Sequence, residues 1–170
     1  MMTAAPPPAG GPVLHLLCGK IASGKSTLAR RLAAAPHTVL ICEDDWLARL
    51  YPGEIATLED YGRCSRRLRA VMADHVSALL RSGFSVVMDA PANTVETRRA
   101  LRTIFEAARV EHRLHFLDLP DDLCKARLRQ RNAAGDHAFS PSDADYDLFT
   151  SLFQAPGAEE GFDLVVHPAP

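Results

Sequence analysis

One run of eight residues carries the clearest chemical signal in this sequence. It reads Gly19-Lys20-Ile21-Ala22-Ser23-Gly24-Lys25-Ser26 and matches G-x-x-x-x-G-K-[ST] without a gap. In such a loop, successive backbone N–H groups form a nest for phosphate oxygens, and the helix that follows adds its positive N-terminal end. We expect Lys25 to neutralise the β and γ phosphates of a nucleotide, Ser26 to offer an oxygen to Mg²⁺ and Thr27 to contact the α-phosphate. The candidate nucleotide-binding residues are Gly19, Ser23, Gly24, Lys25, Ser26 and Thr27.

Acidic residues follow the second apolar run, as phosphoryl transfer to a hydroxyl would require. Asp44 and Asp45 come directly after residues 38–42, and ligands of open α/β sheets bind at the carboxyl ends of strands. One of these aspartates is predicted to orient the acceptor hydroxyl and take its proton, with Asp45 preferred over Asp44. The alternative is an acidic turn or an N-cap for a helix at Trp46.

A third carboxylate, Asp89, ends the apolar run Val86-Val87-Met88. Its position resembles that of a Walker B aspartate, so we predict that Asp89 and Ser26 hold Mg²⁺. The alternative is a cap for the next helix.

Arginines suited to binding a triphosphate cluster between residues 127 and 131. Arg127 and Arg131 are four residues apart and share a helix face, whereas Arg129 points elsewhere. This spacing predicts a lid over about residues 127–142 that places Arg127 and Arg131 on the transferring phosphate. The alternative is a solvated basic face paired with nearby aspartates. One of Arg98 and Arg99 is a further candidate for binding acceptor or phosphate, and surface charge is the equal alternative.

Apolar runs alternating with amphipathic helices must position these groups. This alternation predicts an α/β three-layer sandwich with a five-stranded, mainly parallel sheet. On the longest predicted helix, Val71 and His75 belong to an apolar stripe, which predicts a core position for His75. The predicted strands are 13–18, 38–42, 85–89, 113–119 and 161–167, and the predicted helices are 25–35, 57–82, 94–109, 121–131 and 143–153.

Composition bounds the class of protein. The chain has 170 residues, 19 Lys and Arg, 21 Asp and Glu, and a formal charge of −2, which argues against a strongly basic nucleic-acid binder. We predict a tail over residues 1–12 and one catalytic domain over 13–170. The start lacks a signal-peptide pattern and no apolar run would cross a bilayer, so a cytoplasmic protein is expected. The four cysteines show no C-x-x-C spacing.

Four stretches in this order resemble a family of small P-loop kinases, over about residues 13 to 167. That family includes phage-type polynucleotide 5′-hydroxyl kinases, chloramphenicol phosphotransferase and zeta-toxin-like kinases. The stretches are Gly19 to Thr27, Glu43 to Trp46, Met88-Asp89 with Asn93 to Arg99, and Asp118 to Pro120 leading to Arg127 and Arg131.

The resemblance implies roles for individual residues. In polynucleotide kinases an aspartate of an Asp-Asp-aromatic segment is the general base, which implies that role for Asp45. The family's lid arginines fall on Arg127 and Arg131, and its Asp-x8-Arg region resembles Asp89 to Arg98. The ending 156–163 resembles that of bacterial members, where a strand follows and flanks the adenine.

Two departures bear on the acceptor. In polynucleotide kinases an arginine follows the base within a few residues, whereas here Trp46, Leu47 and Ala48 follow Asp45 and the first arginine is Arg49. Residues 132–170 hold seven acidic side chains and no Lys or Arg. Both features disfavour a nucleic-acid acceptor.

The sequence therefore predicts an ATP- and Mg²⁺-dependent kinase acting on a hydroxyl of a small molecule. The predicted catalytic residues are Lys25, Asp45, Arg127 and Arg131. Two alternatives remain: a nucleic-acid 5′-hydroxyl kinase, and a nucleotide-binding regulatory module with little transfer activity.

Overall fold

The computed structural model describes residues 10–135 and 139–169. Five strands form one sheet in the order β2-β3-β1-β4-β5, and every neighbouring pair is parallel. The bounds are β1 Val13–Gly19, β2 Thr38–Cys42, β3 Ser85–Pro91, β4 Glu111–Asp118 and β5 Leu164–Pro168.

Six α-helices connect these strands within the described part of the chain. They are α1 Lys25–Ala33, α2 Glu43–Leu50, α3 Leu58–Arg81, α4 Val95–Ala108, α5 Asp121–Ala134 and α6 Asp143–Ser151, with a single 3-10 turn at Ala158–Glu160. No described helix is both long enough and apolar enough to span a membrane.

The order of the strands places the phosphate loop at a switch point. Strand β1 has β3 on one side and β4 on the other, so the chain leaves β1 towards one half of the sheet and later returns to the other half. Crevices at such points, beyond the carboxyl ends of the strands, bind ligands in open α/β sheets. The loop from Gly19 to Lys25 leaves the sheet at this crevice.

Two apolar cores cover the two faces of the sheet. The larger core holds Leu14, Leu16 and Met88 of the sheet together with buried side chains of α3 and α4. The smaller core holds Leu17 and Val87 with side chains of α1, α5 and α6. Adjacent residues of β1 thus contribute to opposite cores, as the two-residue period of a strand requires.

The predicted sandwich is confirmed, and its sheet is wholly rather than mainly parallel. The acidic run after β2 forms the first turn of helix α2, where carboxylates interact favourably with the positive end of the helix dipole. The core position predicted for His75 is wrong, because His75 and Val71 lie on the solvent side of α3. Residues 1–9 of the predicted tail and 136–138 of the predicted lid lie outside the described residues.

Candidate active site

The phosphate loop curls around the ammonium group of Lys25. Lys25 Nζ donates to the backbone oxygens of Gly19 and Lys20, each at 2.7 Å. An ammonium has three protons, so one donor remains for a ligand. Burial lowers the pKa of Lys25, and the Asp89 carboxylate opposes the shift.

Glycine is required where the loop enters helix α1. Gly24 caps that helix with φ +102, a conformation that side chains with a Cβ rarely adopt. Ser26 lies half-buried in the first turn of α1, and Thr27 is exposed at the cavity described below. Ser23 is buried, and its Oγ has no hydrogen-bond partner among the described residues.

Asn93, two residues after β3, fixes the start of the loop. Its Oδ1 accepts from Gly19 N and its Nδ2 donates to Gly19 O, both at 2.9 Å. Gly19 cannot be enlarged, because a Cβ there would come within 2.7 Å of Ser23 Oγ and 3.0 Å of Leu117 O. Asn93 therefore holds the start of the loop, and Ser23 and Leu117 leave no room there for a residue larger than glycine. Asn93 belongs to a stretch that resembles the kinase family, but its bond to the loop follows no short sequence motif.

The three acidic residues of helix α2 point in three directions. Successive helical residues are turned by about 100°, so Glu43 is fully buried, Asp44 lines the cavity and Asp45 is exposed outside it. Asp44 Oδ1 accepts a hydrogen bond from Tyr61 OH at 3.4 Å. The aspartate that lines the cavity is thus Asp44 and not Asp45, which the sequence favoured; the role of general base stays a prediction. Trp46 is 39% exposed and lies in a second, smaller cleft away from the phosphate loop.

Glu43 anchors helix α2, a role that its sequence position beside two other carboxylates does not reveal. Its carboxylate accepts from Arg69 Nε at 2.5 Å and Nη2 at 2.8 Å, from Ser65 Oγ at 2.7 Å and from Tyr61 OH at 3.2 Å. A buried carboxylate needs such a set of donors. The set fixes the rotation of α2 and thereby directs Asp44 towards the cavity.

Asp89 and Ser26 both line the cavity near Lys25. Carboxylate and hydroxyl oxygens are the ligands that Mg²⁺ prefers, and magnesium is commonly held by one or two protein oxygens, waters and substrate phosphates. No described group of three or more His, Cys, Asp or Glu side chains is arranged to hold a metal ion by itself. The donor set therefore suits a magnesium ion that arrives with a nucleotide.

The arginines of α5 lie on two different faces of the helix, as their spacing predicts. Arg127 and Arg131 are half-buried and line the cavity, whereas Arg129 is exposed and pairs with Asp143. Arg131 Nε is buried without a hydrogen-bond partner among the described residues. Burial lowers the pKa of Arg131, and the Asp44 carboxylate opposes this shift. A buried donor directed at the cavity favours an anionic ligand.

Neither alternative for Arg98 matches the structure. Arg98 is fully buried and bound to Glu160, and it also donates to the backbone oxygens of Ala92 and Gln154. Arg98 thus joins α4 to the segment before β5. Arg99 is exposed and does not line the cavity.

A cavity of about 1780 Å³ joins these groups. Among the charged residues of its lining are the cations Lys25, Arg127 and Arg131 and the carboxylates Asp44 and Asp89. This volume exceeds that of typical small-molecule sites, about 300–1,000 Å³. Cations for a phosphate chain and carboxylates for a metal and a hydroxyl are the components of phosphoryl transfer.

A family model described as an AAA domain matches residues 14–156. Comparison with curated protein sequences gave no significant match.

Solved structures with the same fold include several kinases. A candidate kinase from Chloroflexus aurantiacus is 20% identical, with a TM-score of 0.74 over 95% of this chain and 87% of that chain. Chaetomium thermophilum Kti12, solved with ADP-AlF3, is 16% identical, with a TM-score of 0.69 over 92% and 89%. The Mycobacterium tuberculosis APS kinase CysC, solved with AMPPNP and APS, is 22% identical, with a TM-score of 0.61 over 96% and 90%. At these identities the likeness shows the fold.

Proposed function

We propose that this chain, which belongs to the AAA domain family, transfers the γ-phosphoryl group of ATP to a hydroxyl of a small-molecule acceptor. Its fold is that of P-loop kinases. One observation carries this proposal. Asp44 lines the same cavity as Lys25, Arg127 and Arg131, so a group able to receive a proton lies beside the groups able to hold a triphosphate.

The cations of the cavity bind and stabilise the phosphate chain. The third proton of Lys25 is available to a phosphate oxygen, because carbonyls of the loop accept the other two. Arg127 and Arg131 approach from α5 and neutralise charge on the transferring group, and Arg131 Nε gains the partner that it lacks among the described residues. Such positioned charges supply most of the catalysis in phosphoryl transfer.

Asp44 receives the acceptor hydroxyl. It is held in the first turn of α2, and Tyr61 donates to one of its oxygens. The Asp44 carboxylate orients the hydroxyl and takes its proton as the bond to phosphorus forms. Ser26 and Asp89 would hold Mg²⁺, which supplies charge neutralisation on the phosphates.

Transfer of label from γ-labelled ATP to candidate acceptors tests the proposal. The acceptors are hydroxylated metabolites, hydroxylated antibiotics and 5′-hydroxyl oligonucleotides. Lys25→Ala should abolish transfer. Asp44→Asn should lower kcat by at least about 100-fold, the size of a general-base contribution, while ATP still binds. Asp45→Asn is the matched control and should retain wild-type transfer.

Three outcomes would overturn parts of this proposal. Full activity in Asp44→Asn together with loss in Asp45→Asn would restore Asp45 as the base. Label transferred to oligonucleotides alone would establish a nucleic-acid kinase. ATP binding with no transfer to any acceptor would establish a nucleotide-binding module.

A further inference from the structure

One end of the cavity is lined by apolar and aromatic side chains. We call this region, formed by Ile55, Leu58, Tyr61, Phe139, Phe149 and Phe153, the aromatic end. It lies between the N-terminal half of α3 and the chain around α6. Tyr61 connects it to the proposed base, because its hydroxyl is 3.4 Å from Asp44 Oδ1.

The rings of the aromatic end are held at fixed angles. Tyr61 meets Phe139 edge to face, with centroids 6.2 Å apart and planes at 89°, and it meets Phe149 at 6.0 Å and 86°. Phe153 stacks on Phe116 of β4 at 6.2 Å. Edge-to-face packing leaves ring surfaces at right angles to one another, so this end offers apolar walls to a flat molecule.

The hydroxyl groups that α3 and its N-cap contribute to this end are already engaged. Thr57 Oγ1 donates to Asp60 Oδ2 at 2.8 Å, and Ser65 Oγ donates to Glu43 at 2.7 Å. The single O–H of Tyr61 is shared between Glu43 at 3.2 Å and Asp44 at 3.4 Å. The protons of these hydroxyls already bind carboxylates, so none of them can donate to a sugar or other polyol without losing a bond to a carboxylate. The polar chemistry here disfavours a polyol.

One cation at this end, Arg66, has no ion-pair partner among the described residues. Arg66 is exposed and lines the cavity. Its neighbours differ, since Arg63 pairs with Asp60 and Arg69 with Glu43. An unpaired guanidinium beside apolar walls suits a carboxylate or a phosphate.

From these observations we propose that the acceptor is an alcohol with a flat aromatic body and an acidic group. Its ring lies against Tyr61 and Phe149, its acidic group meets Arg66, and its hydroxyl reaches Asp44. This proposal rests on the proposed kinase function. In the transfer step, the acceptor oxygen bonds to the γ-phosphorus, the bond to the β-bridging oxygen breaks, ADP leaves and Asp44 takes the hydroxyl proton.

Three probes test the acceptor class by calorimetric binding to the ADP-loaded protein. Phenyllactate has a ring, a hydroxyl and a carboxylate, 2-phenylethanol lacks the carboxylate, and gluconate lacks the ring. We expect binding to weaken in that order. Phe149→Ala should weaken the binding of phenyllactate by about tenfold, which corresponds to the loss of one aromatic contact. Leu148→Ala is its matched control, because Leu148 is exposed on the same helix outside the cavity.

The role of Arg66 is tested by removing its charge and measuring the binding of a charged and an uncharged probe. Arg66→Gln should weaken the binding of phenyllactate by about fivefold, the scale of an exposed ion pair. The binding of 2-phenylethanol should not change. Arg67→Gln is the control, since Arg67 is exposed on α3 outside this cavity. Tighter binding of gluconate, or equal effects of Phe149→Ala and Leu148→Ala, would overturn the proposed acceptor class.

The same probes separate failure of this inference from failure of the kinase proposal. If phenyllactate binds with these variant effects but receives no label from γ-labelled ATP, the binding site stands and the kinase proposal falls. If gluconate receives label and phenyllactate does not, the kinase proposal stands and the aromatic acceptor falls.

Discussion

Arg98, which is fully buried, and Glu160 form a two-pronged ion pair between helix α4 and the 3-10 turn before β5. Arg98 Nε and Glu160 Oε2 are 2.7 Å apart, and Arg98 Nη2 and Glu160 Oε1 are 2.8 Å apart. The hydrogen bonds from Arg98 lower the pKa of Glu160. The pair joins α4, which follows the loop-binding Asn93, to the turn before β5, and so it couples two parts of the chain that lie far apart in sequence.

Loss of one member of this pair should destabilise the fold. Glu160→Gln leaves the buried Arg98 uncompensated, so we expect the free energy of unfolding to fall by about 3 kcal/mol. For a domain of this size, that loss lowers the Tm by about 10 °C. Thermal unfolding followed by circular dichroism measures the change. Glu159→Gln, which alters an exposed neighbour, should match the wild type, and an unchanged Tm in Glu160→Gln would contradict the prediction.

The contact between Asn93 and Gly19 should control nucleotide affinity. Asn93→Ala removes two hydrogen bonds from the first residue of the phosphate loop, and we expect the Kd for ATP to rise about tenfold. Asn93→Asp keeps the shape but places a carboxylate oxygen against Gly19 O, so it should weaken ATP binding as well. Isothermal titration with ATP measures both. Wild-type affinity in Asn93→Asp would show that side-chain shape, rather than the bond to Gly19 O, orders the loop.

The sequence predicted the elements of this fold because their signals are local. Strand β1, the phosphate loop and helix α1 follow from an apolar run, a glycine pattern and a helical period. The spacing of Arg127 and Arg131 likewise placed both on one face of α5, and both line the cavity. These inferences need no knowledge of what packs against each element.

The orientation of helix α2 and the role of Arg98 depend on packing between distant segments. Three adjacent carboxylates cannot be told apart by sequence. The burial of Glu43 against Arg69, Ser65 and Tyr61 turns helix α2 so that Asp44 rather than Asp45 lines the cavity. Arg98 is separated from Glu160 by 62 residues, so no short motif reveals the pair. The prediction that His75 lies in the core was wrong for a related reason. The apolar stripe read from the sequence is wider than the surface that α3 buries.

Glu43 should prove more important for stability than its exposed neighbours. Glu43→Gln removes the charge that compensates Arg69 and weakens bonds from Ser65 and Tyr61. We expect a loss of about 3 kcal/mol in the free energy of unfolding, the scale for breaking a buried pair. Urea unfolding followed by fluorescence measures this loss. Glu59→Gln, on the exposed side of α3, is the control, and equal stability of the two variants would contradict the anchoring role of Glu43.

A row of three histidines should make the stability of the fold depend on pH. His15 Nδ1 lies 3.0 Å from His115 Nε2, and His115 Nδ1 lies 3.0 Å from His167 Nε2, across β1, β4 and β5. Burial lowers the pKa of His115 to about 4, with His15 and His167 adding to the shift. Burial also lowers the pKa of His15, with help from Arg113, and that of His167, with help from Arg31.

The sign of the pH effect follows from the lowered pKa of His115. The unfolded chain binds a proton at His115 below about pH 6.5, whereas the folded chain does not until about pH 4. Stability from this group is therefore complete above pH 6.5 and is lost as the pH falls towards 4, by at most about 3 kcal/mol. Urea unfolding at intervals from pH 7 to pH 4 should show a shallower loss in His115→Gln, which keeps a donor and an acceptor but cannot be protonated. His75→Gln, an exposed histidine outside the row, should follow the wild-type curve, and parallel curves for the wild type and His115→Gln would contradict the prediction.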